Sequence, residues 1–313
     1  HLDTGIDKQW LKDDLSRALA AAVVPDCSFE GCSHCGICGT DFGHNVVVPP
    51  PAIPAFEGHF KPNQTRAQRL RIRLGKLGEM ALIGHLDLAR LLDRAVRRAA
   101  LPITFTGGYH PGPRISPANA LPLGATSTGE IIDFELTTFV EPEIFRAQLG
   151  AQLPPDLPVY EVANVDLSAP AATKVLEKAE YFLSVSLENS VAARWDDWVA
   201  QVLAADDIVY QQPQKARKKS SRRSGQKSEQ TRSINLRERL FNLRVIPETE
   251  PLSLPGSAVA KLRQSGRRVL QYVGSCRNDG TLLRPEQVVF MLEQVEHQSI
   301  QLGHIHRNRL LLE

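Results

Sequence analysis

The sequence has few cysteines outside one short stretch, and it has no long apolar run. Of its five cysteines, only Cys276 lies outside residues 27–38, so a secreted scaffold held together by disulfides is not expected. No apolar segment reaches the length of a bilayer span and no signal peptide is visible, which favours a cytoplasmic protein without membrane contact. The chain begins at His1 rather than methionine, so we expect a piece of a longer protein or a processed product.

The common short motifs of catalysis are also missing. The chain contains no G-x-x-x-x-G-K-[ST] phosphate loop, no H-E-x-x-H zinc motif and no convincing pairing of a nucleophile with a base. We expect Glu130 and Asp133 to pair with nearby arginines rather than to act in catalysis. The chain is therefore not expected to be an enzyme by itself.

Four cysteines within twelve residues are the most informative feature that is present. They are Cys27, Cys32, Cys35 and Cys38. The spacing C-x4-C-x2-C-x2-C predicts a metal site, and its overlapping C-x2-C steps favour a 4Fe-4S iron–sulfur cluster. Zinc is the alternative metal. Further possible zinc ligands are His34, Asp41 and His44. Incidental disulfides or four free thiols would be the interpretation without a metal.

Positive charge is concentrated in two blocks, although the formal net charge is only +2. Residues 215–232 carry eight Lys or Arg against one Glu, and residues 61–114 carry eleven against three acids. Local basicity of this kind is typical of proteins that bind RNA or another polyanion. A solvated linker and an arginine-rich helix face would explain it almost equally well. The residues expected to attract a nucleic acid are Arg69, Arg71, Arg73, Arg90, Arg94, Lys218, Lys219, Arg222 and Arg223.

The order of helical and strand patterns predicts an α+β protein, with two ferredoxin-like sandwiches preceded by a small cysteine-rich metal-binding module. The expected divisions are the module over 1–48, a proline-rich linker over 49–65, and sandwiches over 66–168 and 176–313, the second with a disordered basic insert over 213–233.

Hydrophobic periodicity places the individual elements. The expected helices are 7–23, 86–100, 141–153, 191–204 and 284–296. The expected strands are 69–76, 80–84, 131–136, 158–166, 181–187, 208–212, a stretch within 235–246, 269–276 and 307–312. In the first strand leucine and isoleucine alternate with arginine, which predicts one buried face and one arginine face.

Residues 107–124 form the stretch that looks functional. It is too rich in proline for a regular element and too apolar for simple disorder. An aromatic ring, an imidazole and a guanidinium beside an arginine-rich strand and helix suit a phosphate-bearing or base-stacking ligand. Either histidine near this stretch could instead cap a backbone group. The candidate ligand-binding residues are His85, Arg97, Arg98, Tyr109, His110, Arg114 and Ser116.

Residues 83–130, IGHLDLARLLDRAVRRAALPITFTGGYHPGPRISPANALPLGATSTGE, resemble the signature of a radical-SAM-associated domain family of uncharacterised function. HLDTGIDKQWL and the cysteine loop after it are similar to the C-terminal tail of a cobalamin-binding-type radical SAM protein. The matching positions are His85, Asp87, Arg97, Arg98, Pro111, Arg114, Ser116, Pro122, Leu123 and Gly124. Gly84 stands where the family commonly has serine, which removes a possible helix cap.

The resemblance implies a catalytic radical SAM region as partner, fused or separate. The C-x3-C-x2-C loop that chelates the SAM-binding cluster is absent from this sequence, so any cluster at the four cysteines would be auxiliary. We expect an accessory or substrate-recognition region that binds RNA or another anionic macromolecule. The alternatives are a structural scaffold stapled by zinc, and a metal-independent ribonuclease using His85 or His110 as acid or base.

Overall fold

A computed structural model describes residues 5–27, 29–39, 49–50, 52, 61–187, 194–213 and 231–313. The chain divides into two compact units, His1–Phe60 and Lys61–Glu313. Several predicted positions lie outside the described residues. They are Asp41, His44, Lys218, Lys219, Arg222 and Arg223. No helix in the described part of the chain is both long and apolar enough to cross a membrane.

The described part of the first unit contains the helix α1 (Lys8–Leu19), followed by the cysteine loop, which includes a 3₁₀ turn over Ile37–Gly39. Asp7 caps the helix, because its Oδ1 accepts a hydrogen bond of 2.8 Å from the Trp10 N–H. The helix ends four residues before the predicted 7–23 boundary, and Ala21 just beyond it adopts a left-handed φ of 54°. Its leucines face solvent, since no residue of α1 is buried.

The second unit contains the remaining named elements. Its helices are α2 (His85–Arg98), α3 (Pro142–Gly150), α4 (Ala172–Val175), α5 (Trp195–Ala204), α6 (Gly256–Leu262) and α7 (Pro285–Glu296). Its strands are β1 (Gln68–Lys76), β2 (Ile115–Pro117), β3 (Thr126–Leu136), β4 (Val159–Val165), β5 (Leu176–Leu187), β6 (Val209–Pro213), β7 (Thr231–Asn235), β8 (Leu240–Ile246), β9 (Arg268–Ser275) and β10 (Ile300–Leu312).

One mainly antiparallel sheet runs through this unit in the order β4-β1-β3-β10-β5-β9-β8, with β2 paired to β3. The join between β3 and β10 is parallel and short, and it places His306 opposite Thr126 and Arg307 opposite Ser127. Strands β6 and β7 form a separate two-stranded sheet at the ends of the basic insert. The predicted α+β class is confirmed.

The first half of the sheet follows the predicted alternation closely. Leu70, Ile72 and Leu74 of β1 are almost completely buried, because they pack against the apolar faces of α2 and α3. Leu92 and Val96 supply the helix side of this core and are fully buried. The hydrophobic periodicity that predicted α2 therefore reports its packing face correctly.

The strand predicted over 80–84 is wrong. Residues Gly78–Leu82 form a 3₁₀ helix, since Gly78 turns the chain with a left-handed φ of 47°. A side chain at Gly78 would collide with the carboxylate of Asp156. The buried ammonium of Lys76 then donates a hydrogen bond of 3.1 Å to the Ala81 carbonyl, which fixes the turn.

The second half has cores on both sides of its strands. Helices α5 and α7 cover the larger core around Tyr181, Leu183 and Tyr272. Helix α6, which periodicity missed, covers a smaller core with Phe182 and Val269. Strand β10 begins seven residues before the predicted 307, and the predicted insert is shortened because 213 and 231–233 belong to strands.

Candidate functional site

The cysteine loop folds back onto the start of α1. The Asp7 N–H donates to the Cys35 carbonyl at 2.8 Å, and Trp10 Nε1 donates to the Ser33 carbonyl at 2.6 Å. Gly31 and Gly36 adopt φ values of 103° and 94°, which lets the loop reverse direction twice. The helix therefore anchors the loop through its backbone.

All five cysteines are free thiols, so the predicted cluster of four carries no disulfide. Cys27 and Cys32 are exposed, and Cys35 and Cys38 are half-buried. The His34 N–H lies 3.3 Å from Cys32 Sγ, the kind of hydrogen bond that stabilises a thiolate ligand. Four soft sulfur donors fit an iron–sulfur cluster or zinc. Within the described residues, however, no three His, Cys, Asp or Glu side chains are already grouped to hold a metal, and the site stays a prediction.

The arginine face of β1 is occupied by protein partners. Arg71 forms a two-pronged pair with Asp133, with distances of 2.7 and 3.0 Å. Arg69 is buried and donates to the Ala169 carbonyl at 2.6 Å, and Arg73 pairs with exposed Glu161 at 2.6 Å. These side chains fasten the connection after β4 to the sheet. An RNA-binding role for the three arginines of β1 stays a prediction.

Arg114 belongs to a cluster around Glu135. Arg66 Nε lies 2.6 Å from Glu135 Oε2, Arg69 Nη2 lies 3.3 Å from Oε1, and Arg114 Nη1 lies 3.6 Å from Oε2. One carboxylate thus faces three guanidinium groups, which leaves an excess of positive charge beside the 107–124 stretch. Ser116 lies in β2 opposite Asp133 and is exposed.

Helix α2 presents a row of exposed arginines, two of which have no acidic partner among the described residues. Arg90, Arg94 and Arg98 repeat every four residues, so they share one exposed line along the helix. Arg90 pairs with Asp87 at 3.1 Å on the surface, and on the neighbouring line Arg97 pairs with Asp93 at 3.0 Å. Neither Arg94 nor Arg98 has an acidic partner among the residues that the structure describes.

These three arginines line an open groove of about 630 Å³ between α2 and the end of α3. Its lining is Ile83, Asp87, Arg90, Leu91, Arg94, Arg98, Ala151, Gln152, Leu153 and Pro154. Three guanidinium groups, one amide and one carboxylate make this groove predominantly cationic. It suits an elongated anionic ligand better than a small apolar one.

Tyr109 and His110 stand at the tip of a short projecting loop. The Thr106 N–H donates to the Gly112 carbonyl and the Gly112 N–H donates to the Thr106 hydroxyl, which closes the loop, and Tyr109 is 94 % exposed. The two rings meet edge to face with centroids 4.9 Å apart. An exposed aromatic ring of this kind offers a stacking surface. His85, the other predicted histidine, is the half-buried first residue of α2 and follows Gly84, which provides no side-chain cap.

A buried polar cluster was missed by sequence reasoning. Arg307 is fully buried, and it pairs with Glu130 through two hydrogen bonds and donates to Tyr181 and Asn119. The expectation that Glu130 and Asp133 pair with arginines is confirmed, but the partner of Glu130 lies 177 positions away. No local signal could have identified it. The cluster ties residues 119–120 to the sheet.

The sequence profile of a family described as "Uncharacterized protein conserved in bacteria (DUF2344)" matches residues 69–285. A comparison with curated proteins finds no match. Among solved structures, the chain is similar to one in "Crystal Structure of a Cbf5-Nop10-Gar1 Complex", with 10% identity, 77% of this chain and 48% of that chain covered, and a TM-score of 0.39.

Two further solved structures are similar. One is "Crystal structure of the archaeal box H/ACA sRNP Nop10-Cbf5 complex", at 8% identity and a TM-score of 0.35, covering 76% of this chain and 46% of that one. The other is an unknown protein from Galdieria sulphuraria, at 10% identity and a TM-score of 0.23, covering 75% and 97%. The chain spans about half the length of the first two. TM-scores this low carry no argument about function.

Proposed function

We propose that this chain, which belongs to the family of uncharacterised bacterial proteins matched over residues 69–285, binds RNA as the substrate-recognition region of a radical SAM enzyme. The resemblance of residues 83–130 to the radical-SAM-associated signature supports the link to that enzyme class. The RNA part rests on the described surface of the second unit.

The observation that carries the RNA proposal is the cationic groove along α2. Arg94 and Arg98 line it without acidic partners among the described residues, and Arg90 lies one turn before them. A guanidinium that is not neutralised by the protein can pair with a phosphate and release its counterions. Because successive phosphates of a strand lie a few ångströms apart, a row of arginines on a helix suits a polyanion.

Tyr109 supplies a second kind of contact in the same proposal. Its exposed ring can stack on an unpaired base, an interaction that does not depend on the sequence of the RNA. Arg114 and its neighbours around Glu135 add positive charge nearby. The combination of stacking and phosphate contacts favours single-stranded RNA over a regular duplex.

The test measures binding of a labelled single-stranded RNA to the full chain at roughly 50 and 200 mM salt, a range over which phosphate contacts weaken strongly. Replacing both Arg94 and Arg98 by Gln should lower the salt slope by about two and the affinity by at least about tenfold. Arg97→Gln is the matched control, because Asp93 already neutralises Arg97. Equal losses of affinity in the two variants would contradict a role for the groove in binding. Absence of binding at low salt would contradict RNA as the ligand.

We propose an auxiliary iron–sulfur cluster at Cys27, Cys32, Cys35 and Cys38, with zinc as the alternative occupant. Clustered thiols on a loop anchored to α1 support a metal, but they do not decide between the two. Anaerobic purification with metal and sulfide analysis separates them. About four irons and four sulfides per chain would establish the cluster, whereas one zinc without sulfide would make the loop a structural staple.

We propose that each half of the large sheet is a ferredoxin-like sandwich. The first half has the element order β1-α2-β2-β3-α3-β4, which is the β-α-β-β-α-β sequence of that fold. In the second half, β5, β8, β9 and β10 with α5 and α7 follow the same sequence, with α6 and the β6–β7 pair added. The two halves would then share one sheet through β3 and β10.

A further inference from the structure

A group of basic side chains on the α6 side of the sheet lies outside the groove described above. Lys261 belongs to the last turn of α6, Arg267 to the turn before β9, and His304 to β10. Lys261 donates a hydrogen bond of 3.2 Å to the Gly78 carbonyl, in the 3₁₀ helix that leads into α2. None of the three forms an ion pair with a carboxylate in the described ranges.

Gly303 leaves room for the guanidinium of Arg267. The guanidinium lies so close to Gly303 that any side chain there would collide with it. The side chain of Arg267 is half-buried, and its guanidinium donates to no acceptor among the described residues. A half-buried guanidinium without an acceptor among the described residues is suited to bind an anion.

The tautomer of His304 follows from a chain of hydrogen bonds. The Thr128 hydroxyl donates to the Asn308 carbonyl at 3.0 Å, so it accepts from His306 Nε2 at 3.2 Å. The Thr126 hydroxyl then donates to His306 Nδ1 at 2.9 Å and accepts from His304 Nε2 at 2.8 Å. His304 therefore carries its proton on Nε2 and a lone pair on Nδ1.

The surroundings of His304 keep it neutral. Burial and, to a smaller extent, the charges of Lys261 and Arg267 together lower its pKa to about 4. His306, on the same strand, is a further titratable group close to His304. Thr126 from β3 and Ser184 from β5 also neighbour His304, and neither is charged. A phosphate between the two cations would oppose their effect on the imidazole, and its own negative charge would favour the protonated ring against the effect of burial.

We infer that Lys261, Arg267 and His304 form a second phosphate-binding position, at which His304 Nδ1 takes up a proton from solvent as the phosphate binds. That the phosphate belongs to RNA rests on the proposed function. The hydrogen bond from Lys261 to Gly78 places this position next to the segment that leads into α2. Binding and protonation are coupled, so affinity should rise as the pH falls from about 7.5 to 5.5.

The first experiment measures RNA affinity of the full chain at both pH values. Arg267→Gln should weaken binding about five- to tenfold and lower the salt slope by about one. The neighbouring Arg268→Gln is the control, because Arg268 already pairs with Glu248. His304→Gln should remove the gain in affinity at the lower pH. An Arg267 variant no weaker than its control, or a pH gain that survives His304→Gln, would overturn the site.

A second experiment separates this position from the RNA proposal. Inorganic phosphate is titrated into the full chain while NMR follows the imidazole protons of His304. A phosphate-dependent rise in the His304 pKa that disappears in Arg267→Gln supports the position, even if RNA fails to bind. If the imidazole protons of His304 do not respond to phosphate, the second phosphate-binding position is wrong. The groove along α2 is still tested separately by its own arginine variants.

Discussion

At the residue scale, the charged side chains divide into buried ones that stabilise the fold and exposed ones that are available to a ligand. Arg307 and Glu130 are 0 % and 5 % exposed in their side chains, whereas Arg94 and Arg98 are exposed and unpaired in the described part of the chain. Lys76 lies near the first pair, and burial lowers its pKa while Glu130 partly offsets that effect. A buried pair of this kind is costly to break, because one charge is left without a partner.

Glu130→Gln should lower the free energy of unfolding by about 3 kcal/mol, since it leaves the Arg307 guanidinium buried without its counter-charge. The matched control is Glu161→Gln, which removes an exposed pair with Arg73 and should cost at most about 1 kcal/mol. Urea denaturation at neutral pH measures both variants. A Glu130 variant as stable as the control would show that the buried pair contributes little.

At the element scale, the contact between β3 and β10 requires a close approach of two backbones. Gly129 of β3 faces the backbone of Asn308 and Arg309 so closely that a side chain could not fit. The two strands share a short parallel ladder, and the Glu130–Arg307 pair and the hydrogen bond between Thr126 and His306 also join them. The close approach of the two halves of the sheet at this point therefore requires a residue without a Cβ at position 129.

Gly129→Ala should destabilise the second unit by about 2 kcal/mol or more, because the added methyl group meets backbone atoms that cannot rotate away. Gly150→Ala is the control, since the space around Gly150 is open and alanine favours the helix by up to about 1 kcal/mol. Thermal unfolding followed by circular dichroism compares them. Similar midpoints for the two variants would contradict a tight joint.

The limits of prediction from sequence are also clearest for individual elements. Alternating residues in β1 and the three-to-four spacing in α2 predicted both elements and their buried faces, because local periodicity reports burial. The short apolar run around Met80 predicts a strand, and this prediction is wrong because periodicity cannot distinguish a strand from a turn over five residues. Helix α6 is only seven residues long and follows prolines, so it produced no clear helical signal.

The candidate site was predictable only in part, for a related reason. Arg94 and Tyr109 could be identified from local composition, and both prove to be exposed. Which arginines are neutralised depends on distant acids, as with Arg69 and Glu135, which are 66 positions apart. From the sequence alone, the arginines of β1 and those of α2 are equal candidates for attracting a nucleic acid, although their surroundings in the structure differ.

At the scale of the whole molecule, stability should depend on two histidines in the shared sheet. Burial lowers the pKa of His304 to about 4 and that of His306 to about 3, compared with 6.5 when unfolded. The unfolded chain therefore binds these protons more readily than the folded one. The contribution of the two neutral histidines to the free energy of unfolding is fully present above pH 6.5. It is lost as the pH drops towards 4 and 3.

The free energy of unfolding should consequently decrease below pH 6.5 by up to about 1.4 kcal/mol per pH unit for each histidine. His306→Gln should show a flatter decline over the same range, whatever its stability at neutral pH. Urea titrations at several pH values between 7 and about 5 measure the two slopes. Equal slopes would show that His306 is not desolvated in the folded state.

The joint between β3 and β10 also has a consequence for the newly made chain. Thr126 and His306 are 180 positions apart, so β3 leaves the ribosome long before its partner strand exists. During that interval the end of β3 is an open edge that another chain could pair with. Synthesis rate and chaperone access, rather than final stability, would then govern how much of this protein reaches the native state.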